Sequence, residues 1–180
     1  MLHHGARHGL GPAYLAGFRE ALAAGAELVL EMDCDFSHSP QDVPRLIEAA
    51  ADADLVLGSR YVAGGGVDGD WGAGRSIVSR GGSLYAGLLL GVRVHDLTGG
   101  FKCFRRRVLE TIALERVTAR GYAFQIELTY RALLAGFRVA EVPIRFVDRT
   151  HGHSKMSRRI VLEAMWRVPA LRARSLAGRL

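Results

Sequence analysis

Short apolar runs alternate along the chain with segments of helical periodicity, and this alternation limits the fold more than any other feature. Strand-like runs are "ELVLEMD" at 27–33, "ADLVLGSRY" at 53–61 and "FRVAEVPIRFVDR" at 137–149. Apolar residues recur at helical spacing in 12–24, 39–51, 75–90, 105–114 and 123–136. Such alternation is typical of an α/β domain and predicts a largely parallel sheet. A chain of 180 residues is long enough for one such domain with a sizeable core.

Three segments between or after these elements carry more specific expectations. The glycine-rich run at 62–74 has no periodicity and predicts a loop. The run at 137–149 predicts one long strand. A last helix follows residue 157, and we expect Pro169 to interrupt it because proline lacks the amide proton that a helix interior requires.

An aspartate pair follows the first strand-like run. Asp33 and Asp35 are separated by one residue, and Ser39 with Pro40 is a typical helix start shortly after them. Carboxylates this close repel each other unless a cation lies between them, and Mg²⁺ or Mn²⁺ prefers such oxygen ligands. The alternative is a solvated turn in which Asp35 caps the helix.

Basic residues form a second group. Arg60 ends the strand "LVLGSR", Arg75 and Arg80 lie near Ser79 in the next helix, and "DRTHGHSK" contains Arg149, His151, His153, Ser154 and Lys155. Ligands of open α/β sheets bind at the carboxyl ends of strands, where Asp33, Asp35 and Arg60 should lie. Arginine forks and hydroxyls suit phosphate oxygens, although each of these arginines alone could equally be a surface residue.

Two further acidic residues stand in notable positions. Asp96 belongs to "HDLTGGF", where paired glycines suit either a tight turn or close approach of the backbone to a ligand. Glu127 lies in a strongly apolar helix, where an unpaired carboxylate would be costly. A salt bridge and a substrate contact are both consistent with it.

The formal net charge of +6 indicates an anionic partner such as a phosphorylated molecule or an acidic membrane surface. The arginines are spread over loops beside aspartates, without an aromatic–basic recognition motif, so a nucleic-acid partner is not expected. No apolar run is long enough to span a bilayer. The C-terminal segment mixes arginines with apolar residues, which suits either peripheral membrane contact or a packed surface helix.

Several spaced motifs together resemble one known family. In chain order they are "GLGPAYLAGF", "EMDCDFSHSPQDVPRL", "LVLGSRY", "RSIVSRGGSLYA", "HDLTGGFKCFRRRVLE", "GYAFQIEL", "EVPIRFVDR" and "GHSKMS". They resemble the dolichol-phosphate (polyprenol-phosphate) mannosyltransferases of glycosyltransferase family 2, over roughly 9–157. The resemblance implies a GT-A fold for 1–157, with 158–180 as a basic amphipathic tail. It also implies GDP-mannose as donor, polyprenyl phosphate as acceptor, and Mg²⁺ or Mn²⁺ as cofactor.

The resemblance also implies roles for individual residues. Asp33, Asp35 and Ser37 correspond to positions that hold the metal and the donor diphosphate. Asp96 lies in the acceptor-side turn, and Glu127 in the helix beside the sugar pocket; with Asp33, Asp35 and Arg60 they form the expected catalytic set. The positions implied for the lipid phosphate are Arg60, Arg75, Ser79, Arg149, Ser154 and Lys155.

The implied reaction is a single inverting displacement at the mannose anomeric carbon by an already ionised lipid phosphate. The family's "PTYNE"-like first strand and a later aspartate pair have no counterpart before "GARHGLGPAY", so the first two βα units are expected to be missing. Transfer of another sugar such as glucose, or an inactive lipid-phosphate-binding fragment, are the alternatives. The expected location is cytoplasmic, at the inner membrane face, with a separate membrane-anchoring subunit as a further candidate partner.

Overall fold

A computed structural model describes residues 9–68, 73–117, 119, 121–147 and 158–180. Within these ranges it leaves the side chains of 73–75 and 158–164 undescribed. The helices are α1 (Leu10–Ala23), α2 (Val43–Ala49), α3 (Ala73–Leu90), α4 (Arg106–Thr111), α5 (Tyr122–Leu134) and α6 (Arg158–Leu176). The strands are β1 (Leu28–Glu31), β2 (Leu55–Ser59), β3 (Gly66–Asp68), β4 (Lys102–Arg105), β5 (Val139–Pro143) and β6 (Arg145–Val147).

The main sheet has the strand order β1-β4-β2-β5 and is covered by helices on both faces. Leu55 and Leu57 of β2 face a core shared with α1, α4 and α5. Val56, which lies between them, faces a second core that includes Leu46 of α2. This alternation along a fully buried strand is the period of two that a pleated strand imposes. The predicted α/β class is therefore confirmed.

The sheet is mixed where a largely parallel one was expected. β1, β2 and β5 run in the same direction, but β4 runs antiparallel to its neighbours β1 and β2. The chain leaves β2 at its carboxyl end, and the amide of Gly58 donates to the carbonyl of Phe101 across 2.8 Å. The segment between Gly58 and Phe101 thus returns to the same edge of the sheet. β4 therefore enters the sheet from that edge and runs antiparallel to β2.

Part of the predicted glycine loop is a strand. β3 pairs in parallel with β6 in a second, two-stranded sheet. The one long strand expected at 137–149 is therefore two strands, β5 in the main sheet and β6 in the second sheet. The change of sheet occurs at Ile144, whose amide donates to Ser59 O and whose carbonyl accepts from Gly66 N, both at 3.0 Å. A Cβ on Gly66 would lie 2.6 Å from Nη1 of Arg145, which is the flexible end of an exposed side chain.

Helix α6 continues through Pro169, contrary to the expected interruption. A proline at this position removes the hydrogen bond to the carbonyl four residues earlier, which belongs to Met165. The hydroxyl of Tyr85 in α3 donates to that carbonyl across 3.0 Å. Val168 and Leu171 are buried in a core shared with α3 and α5, which holds the helix in place on both sides of the proline. In the described part of the chain no helix is long and apolar enough to cross a membrane.

Candidate active site

The aspartate pair lies just beyond the end of β1, at the carboxyl edge of the main sheet. Phe36 adopts a φ of 63°, in the left-handed region that side chains other than glycine rarely enter. This turn brings Ser37 back to Asp35, whose Oδ1 accepts from the Ser37 amide at 3.1 Å and from its hydroxyl at 2.5 Å. Ser37 thus contacts Asp35 directly, and its role as a ligand of a metal or diphosphate stays a prediction.

Asp33 lies in a pocket formed by several elements. Its Oδ1 accepts from the Tyr14 hydroxyl at 3.4 Å, and its Oδ2 is 3.9 Å from Nε2 of His38. A Cβ on Gly100 would lie 3.8 Å from both carboxylate oxygens, so this glycine keeps the space beside Asp33 clear. Burial, together with the charges of Glu31 and Asp33, raises the pKa of Tyr14 and keeps it protonated as a donor.

His38 is buried against two aromatic rings beside the aspartates. Its ring centroid lies 5.0 Å from that of Phe101 and 5.2 Å from that of Phe146. Neither ring nitrogen has a hydrogen-bond partner within the described structure. Burial, with the nearby charge of Arg60, lowers the pKa of His38 to about 4. The imidazole is therefore neutral at physiological pH and has one nitrogen able to accept a proton.

Beneath the aspartates lies a buried polar group that sequence reasoning missed. Glu31 and Lys102 face each other across β1 and β4. The Lys102 ammonium donates to the carbonyl of Gln125 at 2.8 Å and to the hydroxyl of Thr129 at 3.0 Å. The amide nitrogen of Gln125 donates to Oε1 of Glu31. Glu31 Oε2 and Gln125 Oε1 are buried without a partner among the described residues.

This group has shifted protonation equilibria. Burial raises the pKa of Glu31 to about 7, against the opposing effect of Lys102. Burial likewise lowers the pKa of Lys102 to about 8, against the effect of Glu31. A signal for the group exists in the sequence, because each is a charged residue inside an apolar strand-like run: "LVLEMD" and "GGFKCF". Only the register of β1 against β4 shows that they are partners.

Arg60 and Asp96 form a buried bidentate ion pair at the end of β2. Nε and Nη2 of Arg60 each donate to one Asp96 oxygen at 2.7 Å, and the Arg60 amide adds a third bond at 3.1 Å. Nη2 also donates to Thr98 Oγ1 at 3.0 Å. Burial alone would raise the pKa of Asp96, but the hydrogen bonds and charge of Arg60 outweigh it and hold the pKa below its ordinary value. Arg60 is therefore fixed in position by Asp96.

Tyr61 connects this ion pair to helix α3. Its ring centroid lies 5.0 Å from the Arg60 guanidinium carbon and 5.9 Å from that of Arg80. Its hydroxyl donates to Ser79 Oγ across 2.6 Å, and Ser79 is buried. Since Ser79 accepts this bond, it keeps its own proton to donate. Arg60, Ser79 and Arg80 thus surround one tyrosine ring.

Glu127 forms the salt bridge that was one of its two predicted alternatives. Its Oε1 accepts from Nε and Nη2 of Arg131 at 2.9 and 2.8 Å, and its Oε2 accepts from the Ala119 amide at 3.2 Å. Both side chains of the ion pair are buried. A role of Glu127 at the donor site stays a prediction. Arg149, Ser154 and Lys155 lie outside the described residues, as does the side chain of Arg75.

The carboxylate oxygens of Asp33 and Asp35 are suitable ligands for a divalent cation. Among the described residues no group of three or more histidine, cysteine, aspartate or glutamate side chains could hold a metal. Two carboxylates are nevertheless the usual protein contribution to a Mg²⁺ site in which phosphate oxygens and water supply the other ligands. The space kept clear by Gly100 beside Asp33 is consistent with such a ligand set.

Comparison with known proteins places this geometry in context. Residues 1–113 match the family model described as glycosyl transferase family 2. The polyprenol monophosphomannose synthase of Mycolicibacterium smegmatis is 48% identical over 169 residues, which are 93% of this chain and 63% of the relative. The undecaprenyl-phosphate mannosyltransferase of Micrococcus luteus is 46% identical over 165 residues, which are 92% of this chain and 68% of the relative. The chain thus spans about two thirds of these relatives.

Solved structures support the fold. A glucosyl-3-phosphoglycerate synthase from Mycobacterium tuberculosis matches 92% of this chain and 57% of its own length, with a TM-score of 0.59 and 21% identity. A second structure of the same enzyme, with Mn²⁺, UDP-glucose and phosphoglyceric acid, has a TM-score of 0.58 at 22% identity. At this identity the likeness concerns the fold alone, and it confirms the expected GT-A-like architecture. The sequence matches show that the chain belongs to glycosyl transferase family 2.

Proposed function

We propose that this chain carries the catalytic centre of a polyprenyl-phosphate mannosyltransferase, which moves mannose from GDP-mannose to a polyprenyl phosphate with inversion at the anomeric carbon. The observation that carries the proposal is the placement of two opposite groups on one sheet edge. The carboxylates of Asp33 and Asp35 follow β1, and the Arg60–Asp96 pair with Ser79 follows β2. The names of the two relatives with nearly half their residues identical agree with this activity.

On the donor side, Asp33 and Asp35 would hold a Mg²⁺ or Mn²⁺ ion together with the diphosphate, and Ser37 would orient Asp35 through its two hydrogen bonds. When bound, the cation neutralises negative charge that develops on the departing nucleoside diphosphate. Tyr14 directs a hydroxyl at Asp33 and fixes the orientation of that carboxylate. The Mn²⁺ bound by the related synthase is consistent with such a site.

On the acceptor side, Arg60, Arg75, Ser79, Arg149, Ser154 and Lys155 would bind the lipid phosphate. A phosphomonoester has a second pKa of about 6, so the attacking oxygen is largely ionised near neutral pH. The acceptor therefore needs positioning and charge compensation more than a general base. Asp96 acts as a positioning residue, since its bidentate contact determines where the Arg60 guanidinium lies. Glu127 is proposed beside the sugar pocket, where its ion pair with Arg131 would fix the orientation of its carboxylate.

Access to a membrane lipid implies a peripheral position at the inner face of the membrane, and a membrane-anchoring subunit is a candidate partner. The net charge of +6 favours contact with anionic lipid. Met165 and Trp166 of α6 are exposed apolar side chains, with Trp166 80% accessible. An exposed tryptophan next to arginines suits the boundary between headgroups and acyl chains.

The test is transfer of labelled mannose from GDP-mannose to undecaprenyl phosphate by the full chain with Mg²⁺. Asp35→Asn should lower kcat/KM about a hundredfold or more, because it removes a carboxylate charge that would hold the cation against the diphosphate. Asp52→Asn, at an exposed aspartate in the turn after α2, is the matched control and should retain activity. Turnover that survives Asp35→Asn unchanged would contradict the metal assignment.

Two further arms separate the alternatives. Faster transfer from UDP-glucose than from GDP-mannose would show a different donor. Binding of undecaprenyl phosphate without turnover with either donor would show an inactive lipid-phosphate-binding chain.

A further inference from the structure

A groove with one polar end and an apolar length runs along helix α3. It lies between α3 and the segment 91–95, and it encloses a cavity of about 760 Å³, within the range typical of small-molecule sites. Tyr61 and Arg80 line its polar end, and Arg93 and His95 line it on the side of the returning segment. Leu84, Leu88, Val92 and Val94 supply apolar lining further along. We refer to this feature as the α3 groove.

The groove follows from the way the chain returns along α3. The amide of Val92 donates to Gly87 O at 3.0 Å, and the hydroxyls of Ser83 and Thr98 lie 3.2 Å apart, so the segment after α3 runs back beside it. A Cβ on Gly87 would lie 3.3 Å from the carbonyl of Val92. The absence of a side chain at this position allows the segment to approach the helix closely and leaves the floor of the groove smooth.

The apolar lining is unusually accessible for leucine. Leu84 is 63% exposed and Leu88 is 75% exposed, one helical turn apart on the same face as Arg80. Exposed leucines that line a cavity, rather than standing singly on a convex surface, indicate a surface that another apolar group covers. From Arg80 to Leu88 the helix rises about 12 Å, so the apolar part could accommodate a short length of hydrocarbon chain.

The polar end identifies the occupant. Arg80 lies against Tyr61, whose hydroxyl contacts Ser79 and whose ring also contacts Arg60. An anionic headgroup with an attached apolar chain would match this order, with the anion at the arginines and the chain along the leucines. We propose that the α3 groove binds the first isoprene units of the acceptor, so that it selects polyprenyl phosphates by their chain. This inference rests on the proposed acceptor class and adds a chain-binding subsite to the phosphate contacts.

Binding of two soluble phosphates tests the subsite directly. Farnesyl phosphate has three isoprene units and dimethylallyl phosphate has one, with the same phosphate group. Calorimetry on the full chain should give farnesyl phosphate an affinity at least about tenfold higher, because it buries more apolar surface. In the double variant Leu84→Gln/Leu88→Gln this ratio should fall to near one, while dimethylallyl phosphate binding stays unchanged. Leu89→Gln, on the same helix but outside the groove lining, is the matched control and should keep the ratio.

The outcomes separate this inference from the proposed reaction. Loss of the ratio in the double variant supports the subsite even in a preparation that transfers no mannose. An unchanged ratio in the double variant overturns the subsite even in an active enzyme. The remaining alternative is that the leucines contact the bilayer. Sedimentation with phosphatidylcholine–phosphatidylglycerol vesicles free of polyprenyl phosphate tests it. Vesicle binding that is lost in the double variant, together with an unchanged farnesyl ratio, would show that the leucines contact the bilayer and would overturn the inference.

Discussion

Two charged pairs are buried at the carboxyl edge of the sheet, and they are satisfied to different degrees. In the Arg60–Asp96 pair both carboxylate oxygens accept from the guanidinium, and the pKa of Asp96 is held low. In the Glu31–Lys102 pair the ammonium donates to Gln125 and Thr129 instead, and one Glu31 oxygen has no partner among the described residues. Both members of the first pair therefore stay charged. In the second pair, the carboxyl and the amine can each change protonation state and become neutral.

The two buried pairs also lie at different places along the sheet edge. Arg60 and Asp96 lie at the side of the edge where the structure places Ser79 and Arg80, whereas Glu31 lies two residues before Asp33. A guanidinium cannot lose its proton in a protein, so its partner must stay ionised to balance it. A carboxyl and an amine can both become neutral, which makes an incompletely bonded pair tolerable in a buried place. This physical contrast predicts unequal responses to substitution.

The largest expected effect is that of Asp96→Asn. It leaves the buried Arg60 cation without its opposing charge, so the free energy of unfolding should fall by about 3 to 5 kcal/mol. Urea unfolding followed by circular dichroism measures it. Asp68→Asn, which breaks an exposed pair with Arg145, is the control and should cost less than about 1 kcal/mol. Equal losses in the two variants would remove the contrast between buried and exposed pairs.

A smaller loss is expected for Lys102→Met. Glu31, whose pKa is already about 7, can take up a proton in this variant, so no buried charge has to remain unbalanced. The lost hydrogen bonds to Gln125 and Thr129 should cost about 1 to 3 kcal/mol, measured by the same unfolding experiment. A loss as large as that of Asp96→Asn would show that the two pairs are equally rigid.

The acid dependence of stability separates the pairs by sign. The folded-state pKa of Asp96 lies below its unfolded value, so its contribution is complete above the unfolded pKa of about 3.8 and is lost as pH falls through the folded pKa. Stability of the unmodified chain should therefore fall more steeply between about pH 5 and about pH 2 than that of Asp96→Asn. Parallel profiles for the two proteins would mean that Asp96 does not contribute through its charge.

The smallest expected effect is that of adding Glu31→Gln to Lys102→Met in a double variant. Lys102→Met alone already loses the bonds to Gln125 and Thr129 and already lets Glu31 take up a proton. Adding Glu31→Gln should therefore change the free energy of unfolding by less than about 1 kcal/mol relative to Lys102→Met. Unfolding at one pH is sufficient to measure it. A double variant clearly more stable than Lys102→Met would show that an unbalanced Glu31 charge, and not the lost hydrogen bonds, causes the loss in the single variant.

Features with a local sequence signal were predictable. The start of the helical segment after the aspartates is one, since the hydroxyl of Ser39 accepts from the Gln41 amide at 3.2 Å as a capping residue should. The approach of Asp33, Asp35 and Arg60 to one edge is another, because strand direction in α/β sheets places strand ends together. The position of the aspartates at this edge was therefore predictable from the sequence.

Features that depend on distant pairing were not predictable. The direction of β4, the β3–β6 ladder and the Glu31–Lys102 partnership all arise from strand register, which local periodicity does not contain. The continuation of α6 through Pro169 depends on Tyr85, which lies 80 residues away from the carbonyl that it compensates. The partner of Arg60 was missed for the same reason, since Asp96 is 36 residues away.

The bond between Gly58 and Phe101 has a consequence for how such a chain can diversify. Because residues 59–100 leave and rejoin the sheet at neighbouring points, they form an insertion whose base is closed by the sheet itself. Changes in the length or composition of this insertion would alter helix α3 while β1 and its aspartates keep their register. Evolution could thus remodel one side of the sheet edge by editing a single continuous stretch of the gene.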